Sequence, residues 1–443
     1  MDAIASYFKF AERGTTIGTE FRAGLTTFAV MAYIVFLNPI ILADAGIDIP
    51  AAAAATALVA GVMTILMGVV GNVPIALAAG LGINGVVAYG LVLGAGLSPA
   101  GAMGVIVLEG ILVTILVLVG LREAIMNAVP LALKRAIGAG IGLFILFIGA
   151  VDGGLIRQPA GDTPVPVEFI YPTEPAQFLT ILGIFVTFAL FARKVPAALL
   201  ISIVVMTVIS IVSGVSMAPA LEPTISFGTL GQFDVTESFA KLGTIAALLT
   251  VFSLMLTDFF DTMGTATAIS EEAGLSDKEG KIPGISRILF VDSVAAVAGG
   301  AAGISSNTSY IESAAGVAEG GRTGFASVVT GVLFLLMIFV SPAAMLVPYT
   351  ATAPVLIVVG FLMFTLVKDI DVADVENGLP ALLAMILMPL TYSITVGIGA
   401  GFIAWTFLKV AKGKSGEIHP LMWIVSIAFL VYFAQTWISG LIA

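Results

Sequence analysis

Long apolar stretches follow one another along almost the whole chain, and few charged residues interrupt them. The stretches are continuous, as in 105–120 and 199–212, rather than alternating between apolar and polar positions. A hydrocarbon core of about 30 Å needs roughly 20 apolar residues per helix, whereas the strands of a membrane β-barrel alternate with a period of two. The pattern therefore predicts an all-α protein that crosses the membrane many times.

Fourteen spans account for these stretches, in two sets of seven with a gap between them that contains Pro219, Pro223 and Gly231. The spans of the first set are predicted at 21–43, 52–71, 74–93, 98–120, 130–150, 176–191 and 195–214. Those of the second set are predicted at 240–268, 284–300, 308–320, 323–347, 353–367, 379–392 and 395–410. Because each set has an odd number of spans, the second must be inverted relative to the first.

The basic residues agree with this arrangement. All but two of the 18 Lys and Arg residues fall on the side that carries the N-terminus, the exceptions being Arg157 and Lys241. Cytoplasmic loops are rich in Lys and Arg, so a cytoplasmic N-terminus in the inner (cytoplasmic) membrane is expected. The first 20 residues lack the apolar core of a signal peptide. A further apolar segment at 420–442 is expected to lie at the membrane interface rather than to form a fifteenth span.

Composition narrows the possible chemistry. The chain is 59% hydrophobic and 10% charged, with a mean hydropathy of +1.13, whereas soluble domains are about 25% charged. It contains no Cys and a single His, His419, so neither thiolate chemistry nor a His-rich metal site is expected, and no cofactor is implied. The net charge of −10 argues against nucleic acid as a partner.

Two spans are interrupted at matching positions, the third in each half. Pro and Gly residues break 71–85, and Gly and polar residues break 299–313. Close helix packing through small residues explains one such segment, but a symmetric pair indicates the substrate site of a transporter, where unwound backbone lines a cavity. Asn84 could instead cap a helix. The residues expected to face the substrate are Gly82, Ile83, Asn84, Thr308, Ser309, Tyr310 and Glu312.

Five carboxylates lie within predicted spans, where an ionised side chain costs about 2.5–3.5 kcal/mol. They are Glu109, Asp258, Asp261, Asp292 and Glu312. Asp258 and Asp261 share one helical face, and two neighbouring carboxylates disfavour double ionisation, which suits proton exchange. Asp258, Asp261 and Glu312 are the candidates for carrying a proton.

The other polar residues have plainer interpretations. Asp292 is expected to brace the polar face of the eighth span, together with Thr262 and Thr265. Glu312 also fits a capping box with Ser309. The sequence pattern indicates no specific role for Glu109.

Three long motifs carry a family resemblance. They occupy 23–39, 258–264, and 308–317 with 320–324. The chain resembles the AzgA-like purine permeases, a branch of the nucleobase–ascorbate transporter superfamily, over nearly its whole length. The resemblance implies two inverted repeats that contribute to two domains. The core domain is expected at 1–120 and 240–347, and the gate domain at 121–239 and 348–443, which also contains the C-terminal apolar segment.

The resemblance also implies an activity, which is proton-coupled uptake of hypoxanthine, adenine or guanine by an elevator-like motion of the core against the gate. The purine is expected between short strands in the third and tenth spans. It would contact one acidic residue in the eighth span, Asp261, and one in the tenth, Glu312. Related branches place the second group at the position equivalent to Ser313. Homodimers through the gate domain are also implied, and no enzymatic activity is expected.

Two other functional classes share some of these sequence features. An anion transporter or exchanger of the same fold is disfavoured because no Lys or Arg lies near either break, although helix N-termini alone can bind anions. An intramembrane aspartyl protease needs two Asp residues on separate helices, whereas Asp258 and Asp261 share one. Proton-coupled purine transport is therefore the primary hypothesis, and anion transport is the alternative.

Overall fold

The structure, a computed structural model, describes residues 2–120, 128–159, 166–217, 224–275, 282 and 284–442, with the backbone alone at 2 and 435–442. Within these described residues the chain forms fourteen spans, TM1 to TM14, so the predicted fold class is confirmed. Residues used in the sequence argument that lie outside the described part are Arg122, Pro219, Pro223, Lys278 and Lys281.

Seven spans form the first half, and a short strand interrupts the third of them. Their bounds are TM1 Ile17–Met31 and Ile34–Ala43, TM2 Ile49–Leu66 with a π-helical turn Met67–Gly71, TM3 with strand β1 Leu77–Ala79, helix Leu81–Gly85 and π-helix Val86–Gly94, TM4 Pro99–Leu118, TM5 Leu131–Asp152, TM6 Pro175–Ala192 and TM7 Ala198–Val212. Between TM5 and TM6, strands β2 Ile156–Arg157 and β3 Glu168–Phe169 form a small hairpin.

The second half repeats this plan. Its spans are TM8 Thr244–Glu272, TM9 Ile285–Ala301, TM10 with strand β4 Asn307–Ser309, 3₁₀ turn Ile311–Ser313 and helix Ala314–Ala318, TM11 Gly324–Met337 with 3₁₀ helix Ile338–Leu346, TM12 Tyr349–Phe364 with 3₁₀ turn Thr365–Asp369, TM13 Val375–Thr391 and TM14 Ile394–Ala411. In addition to these fourteen spans, the chain forms the short helices Asp2–Tyr7 and Glu237–Leu242, the 3₁₀ turn Ser415–Glu417 and the long C-terminal helix Pro420–Ile442.

Nine helices in the described part of the chain are long and apolar enough to cross a membrane, and the remaining spans use shorter apolar helices. Several of them start at a capped end. Asp48 accepts a hydrogen bond from the Ala51 N–H (3.0 Å), with Pro50 in the first turn, and Ser98 accepts one from the Gly101 N–H (3.0 Å), ahead of Pro99. A side-chain acceptor followed by Pro starts a helix because it satisfies donors that have no partner within the helix.

Glycines set how closely the spans pack. A Cβ added at Gly142 of TM5 would lie 2.6 Å from the Gly360 carbonyl of TM12, and one at Gly331 of TM11 would lie 2.5 Å from the Gly61 carbonyl of TM2. TM4 meets TM9 in the same way, since a Cβ at Gly110 would lie 2.6 Å from the Val297 nitrogen. TM2–TM11 and TM9–TM4 are equivalent pairs in the two halves, as expected of inverted repeats.

The C-terminal helix Pro420–Ile442 corrects one expectation. It runs antiparallel to TM14 rather than lying at the interface: the Ser426 hydroxyl is 2.8 Å from that of Thr406, and Phe429 stacks edge-on against Phe402. Farther along, a Cβ on Gly399 of TM14 would lie 2.8 Å from the Phe433 ring. Its 23 residues are enough to cross the hydrocarbon core. An apolar composition alone does not separate the two placements, whereas the matched contacts along TM14 do.

Candidate functional site

The two broken spans cross at the centre of the molecule. Strand β1 pairs antiparallel with β4, with Ala78 opposite Thr308. The pairing is extended on both sides, because the Gly80 N–H donates to the Ser306 carbonyl (2.9 Å) and the Tyr310 N–H donates to the Ala76 carbonyl (3.0 Å). Non-helical backbone is thus satisfied by its partner strand at membrane depth. The predicted interruptions of both spans are present.

Glu312 follows β4 and is half-buried. Its Oε1 accepts a hydrogen bond from the Tyr33 hydroxyl (2.9 Å), and Tyr33 lies at a break within TM1. Ser313, the alternative position in related branches, is buried and accepts a hydrogen bond from the Ala76 N–H (3.0 Å). The capping box with Ser309 is wrong, because the Ser309 hydroxyl donates to Asp292 instead. Glu312 is therefore the group in this segment that can meet a ligand.

Asp261 lies near the middle of TM8 yet is exposed. The same face exposes Gly264, Ala268 and Glu271 towards the end of the helix, and a Cβ on Gly264 would meet no atom within 4 Å. An ionised carboxylate facing lipid at this depth would cost several kcal/mol, so we infer that this face borders an aqueous opening. The Glu312 carboxylate is close enough to act on Asp261 electrostatically. The two acids predicted to contact a substrate thus lie beside the same opening.

Asp292 of TM9 is held by hydrogen bonds from two other segments. Thr262 Oγ1 of TM8 donates to Oδ2 (2.7 Å), while the Ser309 N–H (2.9 Å) and hydroxyl (2.7 Å) donate to Oδ1. The Thr262 hydroxyl is also 2.9 Å from that of Thr308. The structure therefore places Asp292 as a brace that ties β4 to TM8. The hydroxyls of Thr308 and Ser309 are occupied in this network, and Thr265 is buried one turn below Thr262.

Asn84 is fully buried, and neither its oxygen nor its nitrogen has a hydrogen-bond partner among the described residues. Gly80, not Asn84, is the N-cap of the short helix in TM3, so the capping alternative is wrong. A buried amide without partners costs free energy and indicates that a ligand or water satisfies it. The two preceding residues are involved in packing instead: Ile83 is buried, and Gly82 packs against Ile141 of TM5.

Aromatic residues around the site are mostly engaged. The Tyr310 hydroxyl donates to the Ala79 carbonyl, which locks the two breaks together. Phe259 is buried and meets Phe260 edge-on, with ring centroids 5.7 Å apart. Lys134 of TM5 lies over the Phe260 ring, 5.3 Å from its centroid. Lys134 lies in the first turn of TM5, at the end that the distribution of Lys and Arg predicts to be cytoplasmic.

Asp258 does not share the opening with Asp261. It is fully buried, accepts a hydrogen bond from the Ser306 hydroxyl (3.4 Å) and lies against Glu109 of TM4. The two Asp residues on TM8 therefore face different surroundings, although the helical pattern groups them on one face. The contact of Tyr33 with Glu312 was not predicted from the sequence, because the break in TM1 contains neither Gly nor Pro.

Opposite the opening, polar contacts close the other side of the molecule. The Tyr89 hydroxyl of TM3 lies 2.5 Å from Asp44 Oδ2 and 3.1 Å from Asp152 Oδ2, and the Tyr349 hydroxyl donates to Asp44 Oδ1 (2.6 Å). Asp44 follows TM1 and Asp152 ends TM5, while Tyr349 starts TM12. These contacts join TM1 and TM3 to TM5 and TM12.

Comparison with known proteins identifies the family to which the chain belongs. A model described as a Permease family matches residues 18–400. The guanine/hypoxanthine permease PbuG of Bacillus subtilis (strain 168) is 41% identical over 447 residues, covering 97% of this chain and 99% of the relative. The adenine permease AdeP of Escherichia coli (strain K12) is 38% identical over 430 residues, covering 96% and 94%. The transmembrane domain of the cyanobacterial bicarbonate transporter BicA shares the fold, with a TM-score of 0.63 at 16% identity, covering 86% and 96%.

Proposed function

Because this chain belongs to the Permease family, in the nucleobase–ascorbate transporter superfamily, we propose that it takes up purine nucleobases across the cytoplasmic membrane together with protons. Hypoxanthine, adenine and guanine are the proposed substrates. Two relatives that align with nearly the whole chain carry these purines in their names. The chain is an integral membrane protein, and the distribution of Lys and Arg supports a cytoplasmic N-terminus.

The observation that carries the proposal is the pair of acids beside the crossing of the broken spans. A purine presents ring N–H donors, ring-nitrogen acceptors and a flat apolar face. Asp261 and Glu312 can accept from its N–H groups, and the unpartnered amide of Asn84 can donate and accept. Of the aromatic residues, the Tyr310 ring lies next to β4. A site that hydrogen-bonds a buried polar ligand rejects analogues that leave these groups unpaired.

Alternating access fits the asymmetry of the two sides. The face of TM8 that carries Asp261 is open towards the end of the helix that the positive-inside rule places in the cytoplasm. On the opposite side, Tyr89, Tyr349, Asp44 and Asp152 close the molecule. This asymmetry supports the proposal of an inward-facing state. We propose that TM1–TM4 with TM8–TM11 form a core that moves against a gate of TM5–TM7 with TM12–TM14, and that two copies associate through the gate.

Anion transport remains the second candidate because the fold is shared with a bicarbonate transporter. The charges oppose it, since Asp261, Asp292 and Glu312 surround the crossing and would repel an anion. Lys134, which lies over the ring of Phe260, is a basic side chain that could offset them in part. The substrate test therefore has to include an anion.

The test is uptake of radiolabelled hypoxanthine, adenine, guanine, uracil and sulfate into proteoliposomes, with and without an imposed pH gradient. We expect saturable purine uptake that an inside-alkaline gradient increases and a protonophore abolishes. Sulfate uptake without purine uptake would reject the purine assignment in favour of the anion. Purine uptake that ignores the pH gradient would reject the proton as the coupling ion.

A further inference from the structure

A second pair of carboxyl groups lies away from the proposed nucleobase site, between TM4 and TM8. Glu109 and Asp258 are both fully buried and lie close enough for their carboxyl groups to interact. Both oxygens of Glu109 and Oδ1 of Asp258 have no donor among the described residues. The remaining oxygen, Asp258 Oδ2, receives the Ser306 hydroxyl at 3.4 Å. Three of the four oxygens in this buried pair are therefore unsatisfied.

The chemistry of the pair requires a proton. Ionised carboxylates only accept hydrogen bonds, so the contact between Glu109 and Asp258 becomes a hydrogen bond only when one of them is protonated. Two ionised carboxylates in direct contact would also repel each other without water to screen them. The other charged groups that act on the pair are Asp292 of TM9 and Asp261 of TM8, and both are acidic. One bound proton satisfies the contact and removes the repulsion.

The walls around the pair are tightly packed. A Cβ on Gly110, next to Glu109, would lie 2.6 Å from the Val297 nitrogen, and one on Gly300 would lie 2.9 Å from the Val107 nitrogen. TM4 and TM9 therefore touch backbone to backbone on this side. Such walls leave little space for a hydrated metal ion, whereas a proton needs none.

Ser306 connects the pair to the crossing of the broken spans. Its hydroxyl donates to Asp258, and its carbonyl accepts the Gly80 N–H that extends the β1–β4 pairing. The preceding residue, Ser305, has a φ of 76°, a strained conformation for a residue other than Gly. A change in the charge of the pair would thus act directly on the backbone between TM3 and TM10.

A cavity lies on the side of the molecule opposite the opening, near the segment that contacts the pair. It has a volume of about 290 Å³ and is lined by Met103, Gly303 and the starts of TM2 and TM4, among others. The Met103 sulfur accepts the Ser305 N–H (3.3 Å), so the floor of the cavity adjoins the segment that holds Asp258. In the proposed orientation this cavity opens to the extracellular side, from which the proton is taken up.

We propose that Glu109 and Asp258 form a proton-binding site of their own, separate from the nucleobase site at Asp261 and Glu312, and that this pair carries the coupled proton. The inference rests on the proposed function. It predicts that nucleobase binding and proton coupling can be separated by substitution. Protonation joins the pair and leaves the Ser306–Gly80 link undisturbed. Without the proton, two adjacent negative charges oppose inward movement of a core that holds purine alone, and release of both purine and proton to the cytoplasm precedes the return of the empty core.

The test uses the full-length protein in proteoliposomes with an inside-alkaline gradient, a radiolabelled purine and an internal pH-sensitive dye. Glu109→Gln should bind purine in detergent within about threefold of the wild type, since the pair does not contact the site. Its purine should accumulate no further than the external concentration, and its substrate-dependent acidification should be lost. Asp258→Asn should behave alike, and the double variant should be no worse, because both residues hold one proton.

Two controls separate this result from misfolding and from loss of the nucleobase site. Thr114→Val removes a hydroxyl that bonds only its own helix at Gly110 (2.8 Å) and should retain coupled uptake. Asp261→Asn should lose purine binding itself. Coupled accumulation with normal acidification in Glu109→Gln would overturn the inference while leaving the proposed function intact. Loss of purine binding in both Glu109→Gln and Asp258→Asn would overturn the separation of the two sites. Failure of the wild type to accumulate any purine would overturn the proposed function itself.

Discussion

Asp292 offers the most quantitative prediction, because its partners are known. Thr262 Oγ1 lies 2.7 Å from Oδ2, and the Ser309 N–H and hydroxyl lie 2.9 and 2.7 Å from Oδ1. Asp292→Ala leaves these buried donors without an acceptor, at about 1–3 kcal/mol each. Thr262 keeps Thr308 as a partner, so only the two donors of Ser309 remain unsatisfied, and we expect a loss of about 2–6 kcal/mol in the free energy of unfolding.

Asp292→Asn is the matched comparison. Its remaining oxygen can still accept from both donors of Ser309, and its amide requires only that the Thr262 hydroxyl turn and accept. We therefore expect it to cost about 1–2 kcal/mol. Because Ser309 anchors β4, purine affinity should fall further in Asp292→Ala than in Asp292→Asn.

The assay is equilibrium unfolding of both variants in mixed micelles, followed by purine binding to the folded fraction. Thr114→Val serves as the control for loss of a polar group from a neighbouring span. Stability of Asp292→Ala equal to that of the wild type would refute the bracing role. Equal losses in the Ala and Asn variants would also contradict the account, since they would show that the charge matters and the hydrogen bonds to Oδ1 do not.

Two further predictions concern Glu237, which precedes TM8, and Tyr33, at the break within TM1. Lys241 (2.8 Å) and the donors of Ser98 lower the pKa of Glu237 from 4.5 to about 2. The stabilisation that the ionised Glu237 contributes is therefore present above pH 4.5 and lost as the pH falls towards 2. The difference in melting temperature between the wild type and Glu237→Gln should accordingly shrink on acidification. A difference that stays constant with pH would argue against the ion pair. Tyr33→Phe removes the hydroxyl that donates to Glu312 (2.9 Å). We expect this variant to bind purine about tenfold more weakly, the equivalent of about 1.4 kcal/mol, without a change in melting temperature. Unchanged purine affinity would show that the hydrogen bond from Tyr33 is not needed to position Glu312.

Much of the architecture follows from the sequence because the bilayer imposes simple rules. Continuous apolar stretches predict the spans, and an odd number per half requires inversion. The Gly- and Pro-containing breaks of TM3 and TM10 are visible for the same reason, since few other residues tolerate unwound backbone. Glu312 was predicted from its position in such a break, and the structure places it beside the opening.

The surroundings of single residues could not be predicted in this way. Asp258 and Asp261 lie three positions apart on TM8, yet one faces TM4 and the other the opening, which depends on how neighbouring helices pack. Lys134 reaches Phe260 only through the contact of TM5 with TM8. Tyr33 reaches Glu312 through a break that no Gly or Pro announces. These contacts join residues far apart in the chain.

The most direct test of the account is the affinity of the purified protein for hypoxanthine, adenine and guanine, measured in parallel on Asp261→Asn, Glu312→Gln and Thr257→Val. The Thr257 hydroxyl bonds only its own helix, at the Ser253 carbonyl (2.9 Å), so this variant is a matched control on TM8. We expect saturable binding of at least one purine by the wild type and by Thr257→Val, and a loss of about tenfold or more in each acid variant, since each removes a charge-assisted hydrogen bond. Unaltered purine binding in Asp261→Asn and Glu312→Gln would contradict the assignment of the nucleobase site.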